Sequence, residues 1–426
     1  MPDSDTPPTE TVPKSEKPIA ITFEDLAEQR HLLQEFCALH VDSLQYFHRH
    51  LSFKVHPDEP DSEIGPGVVR HLTSSGTCYA SILESERLQP DKVPADLRGN
   101  GANFADAAIA LPTDRKSEQA GGPKEGWKSE GSARIYCRCR GLPFVASHMT
   151  RWHEKLTEHI GFIFQQLDFE EPNEEGGKRQ AIGEADPTED AKYWYPPNAY
   201  HTFWALETLD ATEARFPEEF QKLKSDLKLE SRRKQFYHWA EHKLTHEISL
   251  HSAKSSLLDS DQLAWSLAIF LRKPEHYESK LAKQDLIRQA LKCLFDTQQD
   301  IGTWRHYGPL FHYQEAGNAY CYVFETFAWL LKQTFRPKAE LIRLLLREYF
   351  RELMELLKYA MLTQTIIEEN KVIAWSSGHR TNQLQPESWA TASVFAYAQS
   401  LRRLVGIWTR EEAFRSLNSR RCPELR

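Results

Sequence analysis

Apolar side chains recur along most of this 426-residue chain at the three- and four-residue spacing of a helix. In the first such stretch, Thr22 is the expected N-cap, and Leu26, Leu33 and Phe36 keep helical spacing as far as Phe47. Long runs of alternating β-branched residues are missing, so strands are expected to be scarce. The pattern predicts further helices over 68–86, 104–111, 143–167, 198–210, 217–249, 260–273, 278–296, 317–334, 338–366, 386–405 and 409–417.

Segments without this periodicity divide the chain into predicted regions. Residues 1–20 are rich in Pro, Thr, Ser and Glu, which predicts a disordered tail. Gly, Pro and charged residues dominate 88–140, which we interpret as a mobile insertion with one short helix. The insertion belongs to a single predicted domain over 21–420, and residues 421–426 form a C-terminal tail.

The predicted helices alternate in character along the chain. One set is charged on one side and apolar on the other, and a second set is apolar or aromatic almost all round. An all-round apolar helix requires burial on every side. The alternation therefore predicts an all-α fold of stacked helical hairpins with an inner and an outer helix layer. The charged set is 217–249, 278–296 and 338–366, and the apolar set is 198–210, 260–273, 317–334 and 386–405.

Three stretches repeat one arrangement, in which a polar, aromatic loop leads into a helix that begins with small and aromatic residues. A repeated loop–helix unit is typical of stacked helical hairpins. The repeats bring His201, Glu315 and Glu387 to positions where inner helices are expected to begin. The three stretches are residues 195–206, 311–322 and 384–395.

The helix alternation, together with segments 198–204 (NAYHTFW) and 386–392 (PESWATA), resembles an (α/α) toroid over about residues 68–405. The toroids in question are of the terpenoid cyclase, protein prenyltransferase and lanthionine-cyclase type, and related barrels occur in several polysaccharide-active enzymes. The resemblance implies inner helices that begin near a barrel mouth, where aromatic and polar loops line a pocket. The aspartate-rich and zinc-binding sequences of that superfamily are absent from this chain.

Composition narrows the classes of function. The formal net charge of −8 and the pI of about 6.2 argue against nonspecific nucleic-acid binding, which needs clustered Lys and Arg. No apolar run approaches the roughly 20 residues of a membrane helix. No secretory signal is visible, so the seven scattered cysteines are interpreted as reduced thiols of a cytoplasmic protein. No cofactor, nucleic-acid partner or membrane partner is predicted.

Two loops, residues 302–309 and 375–380, combine Trp, Arg, His and Gly. Aromatic faces suit a sugar, a base or an isoprenoid, and an arginine fork suits an anion. The alternative is that both tryptophans plug the barrel mouth while Arg305 and Arg380 pair with neighbouring glutamates. The candidate ligand-binding residues are Trp304, Arg305, His306, Tyr307, His312, Trp375, His379, Arg380, Trp389 and His201.

Four carboxylates are candidates for paired acid–base chemistry. For Asp261, the alternative is a structural role at a helix start, where Asp259 or Ser260 acts as the N-cap and Asp261 interacts with the helix dipole. The four candidates are Asp261, Glu315, Glu325 and Glu387.

A metal site is not predicted, although weak candidates exist. His238, His242 and His246 share one helix face, and histidines four residues apart can bind one metal ion. A polar stripe on an outer helix is the favoured interpretation. The pair Cys137 and Cys139 lacks the spacing of a zinc knuckle.

Two hypotheses for function follow. The first is a non-catalytic or regulatory toroid that recognises a small molecule or peptide at its barrel mouth, with a protein partner in a larger intracellular assembly. The second is a cyclase-like or polysaccharide-active enzyme. Two candidate carboxylates roughly 5–10 Å apart on a shared cavity favour the enzyme. Carboxylates paired with arginine, and a barrel centre filled by aromatic side chains, disfavour it.

Overall fold

A computed structural model describes residues 21–46, 72–88, 91, 93, 95–110, 134–165, 171–172, 178–179, 181–185, 193–299, 304, 320–367, 372–375 and 388–421. Helices make up most of this part of the chain. They are α1 (Phe23–Tyr46), α2 (Leu72–Leu88), α3 (Ala95–Ala110), α4 (Arg134–His148), α5 (Glu154–Gln165), α6 (Ala199–Arg215), α7 (Pro217–Asp226), α8 (Leu229–Ser252), α9 (Ser260–Phe270), α10 (Leu281–Asp296), α11 (Tyr320–Lys332), α12 (Glu340–Arg347), α13 (Phe350–Thr363) and α14 (Ser388–Arg421).

The inner layer is a closed ring of helices. In ring order α2, α4, α6, α9, α11 and α14 each contact the next, and α14 returns to α2. Contacts between α2 and α14 advance in the same direction, from Ser81 and Ala392 to Ser85 and Gln399, so these two helices are parallel. The remaining helices pack outside, for example α1 on α14, α3 on α4 and α8 on α9. This arrangement is an (α/α) toroid, and the predicted fold class is confirmed.

Local sequence explains where several helices begin. Thr22 and Asp25 form a capping box at α1, in which Asp25 N–H donates to Thr22 Oγ1 at 3.1 Å and Thr22 N–H donates to Asp25 Oδ2 at 3.0 Å. Asp259 is the N-cap of α9 and Asn198 is the N-cap of α6. Pro217 occupies the first position of α7, where a missing N–H carries no penalty.

Strands in the described residues are limited to short antiparallel pairs, as the sequence predicts. The pair β3–β4 leads directly into α6, and the pair β5–β6 lies between α13 and α14. The pairs are β1 (Glu171–Pro172) with β2 (Lys178–Arg179), β3 (Ile182–Ala185) with β4 (Tyr193–Asn198), and β5 (Thr365–Ile367) with β6 (Val372–Ala374).

The structure corrects several predicted helix boundaries. The predicted helix 143–167 is divided between α4 and α5, because a turn is held by Thr150, whose N–H donates to Asp106 Oδ1 at 2.9 Å. The predicted helix 217–249 is divided at Lys228, which has a left-handed φ of 51°. The predicted helix 338–366 becomes α12 and α13, whereas the last two predicted helices join as α14.

The predicted mobile insertion also needs correction where the structure describes it. Between residues 88 and 140 the chain forms α3 and the first half of α4. Phe104 and Ile109 of α3 are buried, and α3 packs against both α2 and α4. These stretches are therefore part of the packed toroid, and α3 begins well before the predicted start at residue 104. No helix in the described ranges is both long and apolar enough to cross a membrane.

Candidate ligand site in the central cavity

A cavity of about 180 Å³ lies inside the ring of inner helices. Its wall is formed by α2, α4, α6, α11 and α14. The lining begins about one helical turn below the start of each of these helices and extends some two turns further. The site is thus deeper than the barrel mouth that the sequence predicts. The lining residues are Gly76, Thr77, Ala80, Ser81, Glu84, Arg140, Pro143, Phe144, Ser147, His148, Trp204, Glu207, Ala211, Glu325, Ala328, Trp329, Lys332, Ser393, Ala396 and Gln399.

Aromatic side chains fill the side of the ring where α6 and α9 meet. The ring of Trp265 packs edge-on against Tyr200, with centroids 5.1 Å apart, and lies 6.2 Å from Trp204. Trp204 meets Trp329 edge to face at 4.9 Å. Because Trp265 occupies this space, α9 does not reach the cavity, and the indoles of Trp204 and Trp329 form its apolar wall.

Arg140 and Glu325 form a buried ion pair at the upper end of the cavity. Their side chains are 2% and 4% exposed, and the N–O distance is 2.8 Å. The guanidinium also lies 5.3 Å from the ring centroid of Trp389. Burial raises the pKa of Glu325, and Arg140 opposes this shift. The ion pair with Arg140 fixes the position of this carboxylate on the cavity wall.

Asp261 lies close to this pair but does not line the cavity. Its Oδ1 accepts hydrogen bonds from Trp265 Nε1 at 3.1 Å and from Thr326 Oγ1 at 3.2 Å. Burial raises the pKa of Asp261 to about 7, and the negative charge of Glu325 adds to this shift. The N-cap role belongs to Asp259, whose Oδ1 accepts from the N–H groups of Asp261 and Gln262.

The Asp261→Asn variant is expected to be more stable than the wild type at pH 8. The native pKa of about 7 exceeds the ordinary value of 3.8, so between these values the native state binds a proton that the unfolded state lacks. Stability conferred by this group therefore grows as pH falls from 7 to 4, by up to about 1.4 kcal/mol per pH unit. Urea unfolding at pH 8 and pH 5 should show the two proteins converging at the lower pH.

The exposed Asp285→Asn, on α10, is the matched control and should leave the pH profile unchanged. Equal wild-type and Asp261→Asn profiles across this range would show that Asp261 titrates at its ordinary pKa.

Ser81 and His40 resemble a nucleophile–base pair, because Ser81 Oγ lies 2.9 Å from His40 Nε2 and Ser81 lines the cavity. Such a pair normally needs an anionic third group to stabilise the imidazolium. Here His40 Nδ1 faces the neutral side chains of Ser85 and Gln399. Burial lowers the pKa of His40 to about 3. The network therefore joins α1, α2 and α14 and does not form a general base.

Two residues of the cavity wall, Trp204 and Gln399, each have a buried polar atom without a hydrogen-bond partner among the described residues. These atoms are Trp204 Nε1 and Gln399 Oε1. The amide of Gln399 is oriented by Ser85, because Ser85 Oγ donates to the carbonyl of Ser81 at 3.0 Å and accepts from Gln399 Nε2 at 2.6 Å. An unsatisfied buried polar group costs about 1–3 kcal/mol, so these atoms are suited to bind polar groups of a ligand.

The ligand-binding residues predicted from the sequence do not coincide with the residues that line this cavity. Trp304 Nε1 donates to the carbonyl of Leu294 at 2.7 Å, and its ring stacks on Phe327 at 4.3 Å. Trp375 is fully buried and its Nε1 donates to the carbonyl of Ala360 at 2.8 Å. Neither indole is among the residues that line the cavity.

His201 and Trp389 lie in the first turns of α6 and α14, as the repeated pattern predicts. His201 is fully buried, its N–H donates to Asn198 Oδ1 at 2.9 Å, and burial lowers its pKa to about 3. Trp389 contacts the site through the guanidinium of Arg140. The other candidates lie outside the described residues, namely Arg305, His306, Tyr307, His312, Glu315, His379, Arg380 and Glu387.

The weak metal candidates are not among the residues that line the cavity. His238, His242 and His246 are exposed on α8, while the adjacent Glu241 and Glu247 pair with Lys283 and Lys243. In the described parts of the chain no three His, Cys, Asp or Glu side chains are grouped as metal ligands.

Sequence reasoning missed the residues that matter most in the cavity. Arg140 falls in the predicted insertion, whereas in the structure it lies within α4. Lys332 and Gln399 resemble ordinary polar residues of apolar helices, and Trp204 resembles its aromatic neighbours. These residues come together only because the inner helices close into a ring.

No protein-family profile and no curated protein matches the chain. Among solved structures, one that matches is a possible member of the GH105 family from Salmonella enterica subsp. enterica serovar Paratyphi A. It is 10% identical in sequence with a TM-score of 0.41, over 93% of this chain and 99% of that chain. A likeness of this degree carries no information about activity. The toroid assignment rests on the helix contacts, and the resemblance to terpenoid cyclases stays a prediction.

Proposed function

We propose that the protein binds a small molecule in its central cavity and acts as a non-catalytic or regulatory toroid. The observation that carries this proposal is the pair of buried, unpartnered polar atoms, Trp204 Nε1 and Gln399 Oε1, in residues that line the cavity. The size of the cavity favours a small molecule over a peptide, since an engineered cavity of about 150 Å³ holds benzene. The pairing of Glu325 with Arg140 favours recognition over acid–base catalysis.

A thermal-shift screen of a metabolite library tests this proposal. A ligand present at 100 times its Kd stabilises the native state by about 2.7 kcal/mol, which raises Tm by several degrees. Filling the cavity in Ala396→Leu should abolish the shift, because Ala396 lines it on α14. The matched control is Ala413→Leu, at a similarly half-buried position on the same helix outside the cavity.

The proposal predicts a stabiliser that acts on the wild type and on Ala413→Leu but fails on Ala396→Leu. A stabiliser that acts equally on all three proteins would place its site elsewhere.

A second candidate function is an enzyme that uses Asp261 and Glu325 as acid and base. One observation favours it, namely the pKa of about 7 for Asp261 beside the charge of Glu325. Incubating the protein with its stabiliser and analysing the mixture by mass spectrometry separates the two functions. Product formed by the wild type but not by Asp261→Asn supports the enzyme. An unchanged ligand after prolonged incubation supports recognition without catalysis.

A further inference from the structure

Lys332 is the last residue of α11 and is half-buried at the lower end of the cavity. Its Nζ lies 3.8 Å from the ring centroid of Trp329. Among the described residues no carboxylate lies within ion-pair distance of it. Burial lowers the pKa of Lys332, against the opposing effect of Glu84, Glu207 and Glu325.

The carboxylates around Lys332 are already engaged by other cations. Glu207 pairs with Arg272 and also lies 3.4 Å from Arg336. Glu325 pairs with Arg140, and Glu84 lies 3.6 Å from Arg87. Each nearby negative charge thus has an arginine partner, whereas the ammonium group of Lys332 has no carboxylate partner in the described part of the chain. This distribution favours a ligand that brings a negative charge of its own.

A second donor lies on the same wall of the cavity. Trp204 Nε1–H has no acceptor among the described residues, and its ring meets Trp329 edge to face at 4.9 Å. Trp329 therefore contacts both donor-bearing side chains, the indole of Trp204 and the ammonium group of Lys332. One anionic group has enough oxygen atoms to accept from both, because carboxylates and phosphates carry several acceptor sites.

The rest of the lining offers an acceptor and apolar surface. Gln399 of α14 lines the cavity, and its buried Oε1 has no hydrogen-bond partner in the described chain. Phe144 and Ala328 supply apolar surface, and the volume of about 180 Å³ suits one ring with a few substituents. A hydroxyl, amide or amino group on such a ring can donate to Gln399.

We infer that the ligand is a small organic anion with an apolar body, whose carboxylate or phosphate binds Lys332 and Trp204 while the body packs on Trp329 and Phe144. This inference rests on the proposed function and specifies the chemical class of its ligand. A neutral sugar would leave the ammonium group of Lys332 unpaired. The inference therefore distinguishes this cavity from a binding site for neutral sugars.

The test compares probes that share a ring and differ in charge. Benzoate, phenyl phosphate, benzamide and benzylamine are titrated into the full-length protein, and Kd is obtained from ligand-observed NMR. We expect benzoate or phenyl phosphate to bind at least tenfold more tightly than benzamide, and benzylamine to bind most weakly. The ratio between the first two probes distinguishes a carboxylate ligand from a phosphate ligand.

Variants of Lys332 test whether this side chain causes the preference for anionic probes. Lys332→Met keeps an unbranched apolar chain one atom shorter than lysine and should weaken binding of the anionic probe at least tenfold, while Lys332→Arg should retain most of the affinity. The exposed Lys222→Met on α7 is the control and should bind like the wild type. Circular dichroism and Tm verify that each variant is folded.

The outcomes separate this inference from the proposed function. Equal binding of benzamide and benzoate, or equal affinity in Lys332→Met and wild type, overturns the anion inference. If Ala396→Leu still blocks that binding, the cavity remains the ligand site. Probes that bind equally to wild type and Ala396→Leu contradict both.

Discussion

Acidification from pH 7 to pH 5 is expected to destabilise the protein by several kcal/mol. His40, His159 and His201 are buried, and burial lowers their pKa values to about 3, about 2 and about 3 from the ordinary 6.5. Below pH 6.5 the unfolded state takes up protons that the native state does not. Each histidine therefore lowers the free energy of unfolding by about 1.4 kcal/mol for each pH unit below 6.5. For the three together the loss is about 4 kcal/mol per pH unit. Protonation of Asp261 offsets part of this loss.

The measurement is urea unfolding at a series of pH values between 7.5 and 5. His201→Gln should lose about a third of the wild-type pH dependence, because one of the three neutral imidazoles is removed. The exposed His246→Gln on α8 is the control and should keep the full dependence. A wild type whose stability is flat over this range would contradict the burial of these histidines.

Arg140→Met is expected to lower the free energy of unfolding by about 3–5 kcal/mol, because it leaves Glu325 buried without its charged partner. The loss of the contact between the guanidinium and Trp389 adds to the effect. The double variant Arg140→Met with Glu325→Leu should recover much of this loss, since apolar replacements of a buried ion pair are often tolerated.

The exposed pair Lys358 and Glu355 provides the comparison, and Lys358→Ala should cost less than about 1 kcal/mol. If Arg140→Met costs no more than Lys358→Ala, the pair is solvated in the native protein. If the double variant is no more stable than Arg140→Met alone, the stability loss comes from packing rather than from the unpaired carboxylate.

The features of the fold that are predictable from the sequence are those that depend on residues close together in the chain. Apolar periodicity and caps such as Thr22 and Asp259 depend on neighbours a few residues apart, and these predictions agree with the structure. The break between α4 and α5 depends on Asp106, which is 44 residues from Thr150, and no local pattern reveals it. The left-handed Lys228 likewise carries no signal of the kind that glycine would give.

The candidate site was less predictable for the same reason. Trp304, Trp375 and Trp204 are alike as sequence features, but the first two indole N–H groups find carbonyl acceptors and the third finds none in the described chain. Whether a polar atom is satisfied depends on which helices close the ring. The cavity therefore lies among Trp204, Lys332 and Gln399, below the barrel mouth to which the repeated loop–helix pattern pointed.

A crystal structure with the stabiliser from the thermal-shift screen tests the central claim most directly. The account predicts ligand density inside the ring of inner helices, with polar groups within hydrogen-bond distance of Trp204 Nε1 and Gln399 Oε1. Ligand density outside the ring, with these two atoms making no contact to it, would contradict the account.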